Sequence, residues 1–133
     1  TPQVLFVCVA NAGRSQLAAA LVNQMSNGTV IARSAGSTPA TDVHPHVRSL
    51  LTEIEGESDA AEAFPKPLTD DAVRAADVVI TMGCGDVCPI IPGVRYEDWM
   101  VGDPALASQA GVEAIRDDIT ARVRALLDTL PSR

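Results

Sequence analysis

Apolar residues in this chain come in two rhythms, short unbroken runs and longer stretches with helical spacing, and the two alternate along its 133 residues. Val4 to Val9 is apolar at every position, the pattern of a strand buried on both faces at the centre of a parallel sheet. Ser15 to Met25 then reads as a helix, Thr29 to Ser34 as a strand, and His46 to Ile54 as a second helix. Further on come a short helix from Thr69, a strand from Asp77 to Met82, a short strand near Val94 to Tyr96, and a final helix from Val112 to Leu130. Thr69 followed by Asp70 and Asp71 is an N-terminal cap signature. In the last helix Val112, Ile115, Ile119, Val123, Leu126, Leu127 and Leu130 form one apolar stripe suited to core packing. The series predicts an α/β fold: a single-domain open parallel sheet of about four strands with helices on both faces, spanning residues 1–133. A chain of this length buries ~68% of its unfolded surface without needing disulfides.

Charge narrows the partners. Ten Lys and Arg against seventeen Asp and Glu give a net charge of −7, with no basic cluster of the kind that nucleic acids or anionic membranes require. No apolar run approaches the ~20 residues of a membrane span. Three cysteines without a signal peptide suggest redox or metal chemistry in a reducing compartment rather than a stapled scaffold, so a cytoplasmic location is expected.

The candidate chemistry begins at the end of the first strand, in Cys8-Val9-Ala10-Asn11-Ala12-Gly13-Arg14-Ser15. A chain passing from strand to helix through small residues turns backbone N–H groups inward, and the helix adds its unpaired donors and the positive end of its dipole. Such a cup, formed by Val9, Ala10, Asn11, Ala12, Gly13, Arg14 and Ser15, suits a tetrahedral oxyanion. Arg14 offers a planar fork of donors for two of its oxygens, and an arginine at this end of a helix is unfavourable unless an anion offsets it. Cys8 lies at the bottom, where the same donors favour a thiolate nucleophile and Ser15 can add a hydroxyl hydrogen bond. No Gly-Lys-Ser or Gly-Lys-Thr follows, which argues against a nucleotide loop.

Cys84 and Cys88 lie in Met82-Gly83-Cys84-Gly85-Asp86-Val87-Cys88-Pro89, where Gly83, Gly85 and Pro89 make a poor helix. Cys-x3-Cys with His44-Pro45-His46 lacks the paired combination of common structural zinc sites, so no metal is expected. The histidines are read as capping or flanking the second helix on a solvated face.

Cys8 to Ser15 resembles the phosphate-binding loop of the low-molecular-weight protein tyrosine phosphatase fold, which thioredoxin-coupled arsenate reductases share. The resemblance extends over nearly the whole chain: Val4 to Val7 resembles the first strand, Ile31-Ala32-Arg33-Ser34-Ala35-Gly36 the second, and Trp99 to Pro104 the segment ending in an Asp-Pro acid. The loop is common to phosphatases and arsenate reductases, and the two further cysteines point to the latter. The resemblance implies a single catalytic domain that converts arsenate to arsenite. Cys8 is the nucleophile, Arg14 and the loop amides hold the oxyanion, and Asp103 is the general acid. Cys84 and Cys88 then carry the disulfide outward. It further implies no bound cofactor, an external dithiol such as thioredoxin, phosphate or sulfate as competing oxyanions, and a monomer. Asn11 is expected to brace the loop through its side chain. Ala19 and Lys66 stand where potassium-binding relatives carry acidic residues, so strong potassium stimulation is not expected. Two alternatives stay open: a phosphomonoester phosphatase using the same Cys8, Arg14 and Asp103, and a non-catalytic oxyanion-binding redox switch.

Overall fold

The computed structural model describes residues 2–83, 92–102 and 108–130. Its first strand, β1 (Gln3–Cys8), runs into α1 (Arg14–Met25), and β2 (Ile31–Gly36) returns beside it. Three helices follow, α2 (Pro45–Glu55), α3 (Glu57–Glu62) and α4 (Asp70–Ala75), then β3 (Val78–Thr81), β4 (Arg95–Asp98) and the long α5 (Gln109–Thr129). The strands form one sheet in the order β2-β1-β3-β4, all parallel. The all-apolar first strand is therefore internal, paired from Gln3↔Ile31 to Cys8↔Gly36 on one side and from Val4↔Val78 to Val7↔Thr81 on the other.

Successive side chains of a strand point to opposite faces. Val4, Phe6 and Cys8 enter a large core with Leu17, Leu21 and Val22 of α1, Val47, Leu50 and Leu51 of α2, and Val112, Ile119, Val123 and Leu126 of α5. Leu5 and Val7 enter a smaller core with Ala35, Val79 and Val73 of α4. Both faces are thus covered, one by α1, α2 and α5 with Ala60 of α3 beside them, and the other by the short α4. Trp99 is buried in the large core with its ring 5.5 Å from that of Phe6.

The expected elements all form, with shifted ends. β2 begins at Ile31 rather than Thr29 because Asn27 and Gly28 turn the chain at φ 53° and 84°, and Thr29 is held in that turn by its N–H and hydroxyl donating to Ser26 O. The second helix starts at Pro45, the favoured first position for proline, and His44 occupies its cap position without a side-chain capping bond. Thr69 does cap α4, accepting from Ala72 N–H at 3.1 Å. Helix α3 was not anticipated. Only Ala60 of its six residues is buried, so it has no apolar period to read; acidic Glu57 and Asp59 favour its first turn, and Arg48 donates to the carbonyls of Ala60 and Ala63 at its far end.

Candidate oxyanion site at the end of the first strand

The loop joining β1 to α1 is shaped by where its carbonyls go. Cys8 O accepts from Ser37 N–H at 3.1 Å, Val9 O from Thr38 N–H at 2.8 Å, and Ala10 O from Ala40 N–H at 3.0 Å. Ala12 O accepts from His44 N–H and Gly13 O from Leu17 N–H, both at 3.0 Å, while Asn11 O accepts from Gln16 Nε2 at 3.0 Å. Every carbonyl from Cys8 to Gly13 is therefore tied into the surrounding scaffold. Across a planar trans peptide the N–H points opposite to the carbonyl, and the described bonds include no cis peptide. The N–H groups of Val9 to Arg14 consequently point away from those partners and are not used by them. Asn11 N–H shows what lies there, donating to Cys8 Sγ at 3.3 Å.

The side chains within the loop fix its hydrogen positions. Lys66 N–H, which can only donate, meets Asn11 Oδ1 at 2.8 Å, so the amide of Asn11 must present Nδ2 to Ser15 Oγ, 2.7 Å away. With its oxygen already accepting, the Ser15 hydroxyl has its hydrogen free for Cys8 Sγ at 2.9 Å. With Cys8 as a thiolate, which can only accept, a directed chain runs from Lys66 through Asn11 and Ser15 to the sulfur. Asn11, Ser15 and Cys8 are all buried, and Asn11 adopts the left-handed φ of 51° that asparagine tolerates better than most residues. Gln16 Nε2 adds a contact to Asn11 Oδ1 at 3.2 Å and a bond to Phe64 O at 2.9 Å. β2 approaches just as closely: a Cβ on Gly36 would lie 2.7 Å from Val9 O and 2.9 Å from Asn11 Cβ, so only glycine fits there.

Arg14 opens α1, and its guanidinium has no hydrogen-bond or ionic partner among the described residues. Its five donors remain for a ligand. Cys8, Val9, Ala10, Asn11, Ala12, Gly13, Arg14 and Ser15 therefore occupy one loop at the carboxyl end of a central strand, as the sequence implied. Cys84, Cys88 and Asp103 lie outside the described residues. Sequence reasoning named Asn11 as a brace but missed Gln16 and the Phe64–Lys66 segment, whose partners are 48 and 55 residues away in the chain. Among the described residues no group of three or more His, Cys, Asp and Glu is placed to hold a metal ion, and no helix is long and apolar enough to cross a membrane.

A cavity of about 440 Å³ lies behind the loop, lined by Gln16, Ala19, Ser34, Glu55 and Lys66 among others. Neither Cys8 nor Arg14 lines it, so it is distinct from the oxyanion cup despite its size. Two ionisable groups at its edge are perturbed. Burial, and then the nearby Asp59, raise the Glu55 carboxyl above its usual value, with Lys66 opposing; burial lowers the Lys66 ammonium, with Glu55 opposing.

Residues 3–133 match the low molecular weight phosphotyrosine protein phosphatase family. A Halobacterium salinarum protein provisionally named an arsenate reductase is 36% identical over 128 residues, covering 92% of this chain and 89% of that protein. The solved thioredoxin-dependent arsenate reductase of Corynebacterium glutamicum is 48% identical with a TM-score of 0.80, matching 97% of this chain; the chain spans 61% of the length of that protein. An arsenate reductase solved in its phosphate binding state superposes with a TM-score of 0.82 at 26% identity, covering 98% of this chain and 100% of that one. The chain belongs to the low molecular weight phosphotyrosine protein phosphatase family, and these three relatives within it carry the name arsenate reductase.

Proposed function

We propose that this protein reduces arsenate to arsenite with Cys8 as nucleophile and Cys84 and Cys88 as resolving thiols. The observation that carries the reading is the orientation of the loop: carbonyls from Cys8 to Gly13 are all hydrogen-bonded elsewhere, while the Asn11 N–H and the Ser15 hydroxyl meet the sulfur. Fixed donors of this kind stabilise both a thiolate and the charge on a bound oxyanion without reorganising during reaction. The net charge of −7 does not oppose this, because charges beyond ~8 Å are largely screened at physiological salt whereas the loop donors act at contact.

In the proposed sequence the Cys8 thiolate attacks arsenic, forming a sulfur–arsenic bond as one oxygen leaves as water with a proton from Asp103. Cys84 thiolate then attacks Cys8 Sγ. The electron pair of the sulfur–arsenic bond passes to arsenic, taking it from the +5 to the +3 state, and arsenite departs from a Cys8–Cys84 disulfide. Cys88 attacks Cys84, freeing Cys8 and leaving a Cys84–Cys88 disulfide that an external dithiol reopens. One dithiol is oxidised for each arsenate reduced. Thioredoxin is the proposed reductant, as in the name of the Corynebacterium glutamicum relative, with no bound cofactor. Phosphate and sulfate are proposed competitors, and the working form is proposed as a cytoplasmic monomer.

Arsenate-dependent NADPH oxidation with thioredoxin and its reductase tests the activity, and mass spectrometry of arsenate-treated protein tests the relay. The expected product carries a Cys84–Cys88 disulfide; its absence removes the relay. Cys8→Ser is expected to reduce turnover to background, because no other described thiol lies in the cup. The family match favours one second reading, hydrolysis of a phosphomonoester through the same Cys8 and Arg14. Rapid para-nitrophenyl phosphate turnover that survives Cys84→Ser, without arsenate-dependent NADPH oxidation, would establish it instead.

A further inference from the structure

We infer that Gly83 is a positioning residue for the Arg14 guanidinium, holding the anion clamp in its binding orientation before any oxyanion arrives. The inference rests on reading Arg14 as that clamp. Met82, fully buried, donates its N–H to Val7 O at 2.7 Å and so fixes the end of β3 beside the end of β1. The chain then turns at Gly83 with φ +98°, a conformation that side chains rarely adopt. A Cβ at Gly83 would lie 2.6 Å from Arg14 Nη1, 3.3 Å from Cζ and 3.4 Å from Nη2. Three atoms of the guanidinium thus surround the position that a side chain at residue 83 would take.

That arrangement has a specific use. The donors of arginine lie in the plane of its guanidinium, and the Cβ position of Gly83 falls nearest Nη1, beyond the Nη1–Nη2 end of the group, so a glycine here keeps a side chain out of the space where oxyanion oxygens would meet that end. A long side chain without a hydrogen-bond partner would otherwise sample many rotamers and lose that freedom on binding. Gly83 removes part of that freedom beforehand. The clashing atoms belong to the far end of a flexible side chain, so a methyl group here displaces Arg14 while the core beneath it stays packed.

The experiment is titration calorimetry with inorganic phosphate on the reduced full chain, comparing Gly83→Ala with the unmodified protein. Gly56→Ala is the control, since Gly56 has φ +94° with nothing within 4 Å of its Cβ position and thus shares the backbone strain without the clash. Phosphate affinity is expected to fall at least about tenfold in Gly83→Ala and less than about twofold in Gly56→Ala, with similar falls in melting temperature. Equal affinity in Gly83→Ala and the unmodified protein would overturn the inference. If the variant does not fold, NMR on the unmodified, phosphate-free protein decides. The Arg14 Nε–H order parameter is expected near the ~0.85 of rigid groups, and a value below ~0.6, the range of flexible groups, overturns the inference. Failure of the unmodified protein to bind phosphate would count against the oxyanion reading itself, and the NMR result would still test Gly83.

Discussion

The two faces of β1 are unequal supports. One face sends Val4, Phe6 and Cys8 into a core built by α1, α2 and α5, while the other sends Leu5 and Val7 against α4 and a few neighbours. Both sets come from one uninterrupted apolar run, so the difference lies in what the rest of the chain packs against each face. The Cys8 sulfur continues the heavily packed set: Cys8 is two residues beyond Phe6 and four beyond Val4, in the same core as α1. The Cys8 side chain is therefore an extension of the larger core, whereas the lighter face forms the back of the scaffold.

Paired core deletions test this asymmetry most strongly. Phe6→Ala is expected to cost about 3–5 kcal/mol, since Phe6 is fully buried and packs on Trp99, while Val79→Ala on the lighter face should cost about 1–3 kcal/mol. Urea denaturation measures both, and equal costs would break the comparison. Ser15→Ala sharpens it at the sulfur: removing the hydroxyl 2.9 Å from Sγ is expected to slow alkylation of Cys8 at neutral pH, and arsenate kcat/KM, about tenfold, in line with ~1.5–3 kcal/mol for a hydrogen bond to a charged group. An unchanged alkylation rate would separate the hydroxyl from the chemistry.

The smallest effect concerns Glu55, at the rim of the cavity behind the loop. Its folded pKa is raised, chiefly by burial, so between the usual 4.5 and that raised value the folded chain holds more protons than the unfolded one. The Glu55 contribution to stability therefore falls as pH rises through that window and stays at its lower level above it. Glu55→Gln should remove the slope and raise neutral-pH stability by less than about 0.5 kcal/mol. Urea midpoints at pH 4 and pH 7 check this. A variant with the same slope as the unmodified protein would assign the slope to another group.

Much of this architecture is legible because its signals are local. The apolar run at Val4, the cap at Thr69, the stripe from Val112 to Leu130 and the spacing from Cys8 to Ser15 each depend on neighbours within a few turns of chain. What stayed hidden depends on distance. No short window shows that Phe64 O would hold Gln16, that Lys66 N–H would orient Asn11, or that Gly83 would face Arg14. The closeness of Gly36 to Val9 O is likewise a property of the assembled sheet. Helix α3 is held by Arg48 and a favourable dipole rather than by a buried stripe, which leaves periodicity nothing to detect.

The all-parallel pairing of β1 also carries a consequence in time. Neither neighbour can close on it by a hairpin, and β3, whose Thr81 lies opposite Val7, is made long after Cys8. At synthesis rates of ~5–20 residues per second, roughly 4–15 s separate the two segments. Throughout that interval the Cys8 segment exists without the strand that flanks it, so the loop after β1 reaches its final enclosure only when the later half of the chain joins the sheet.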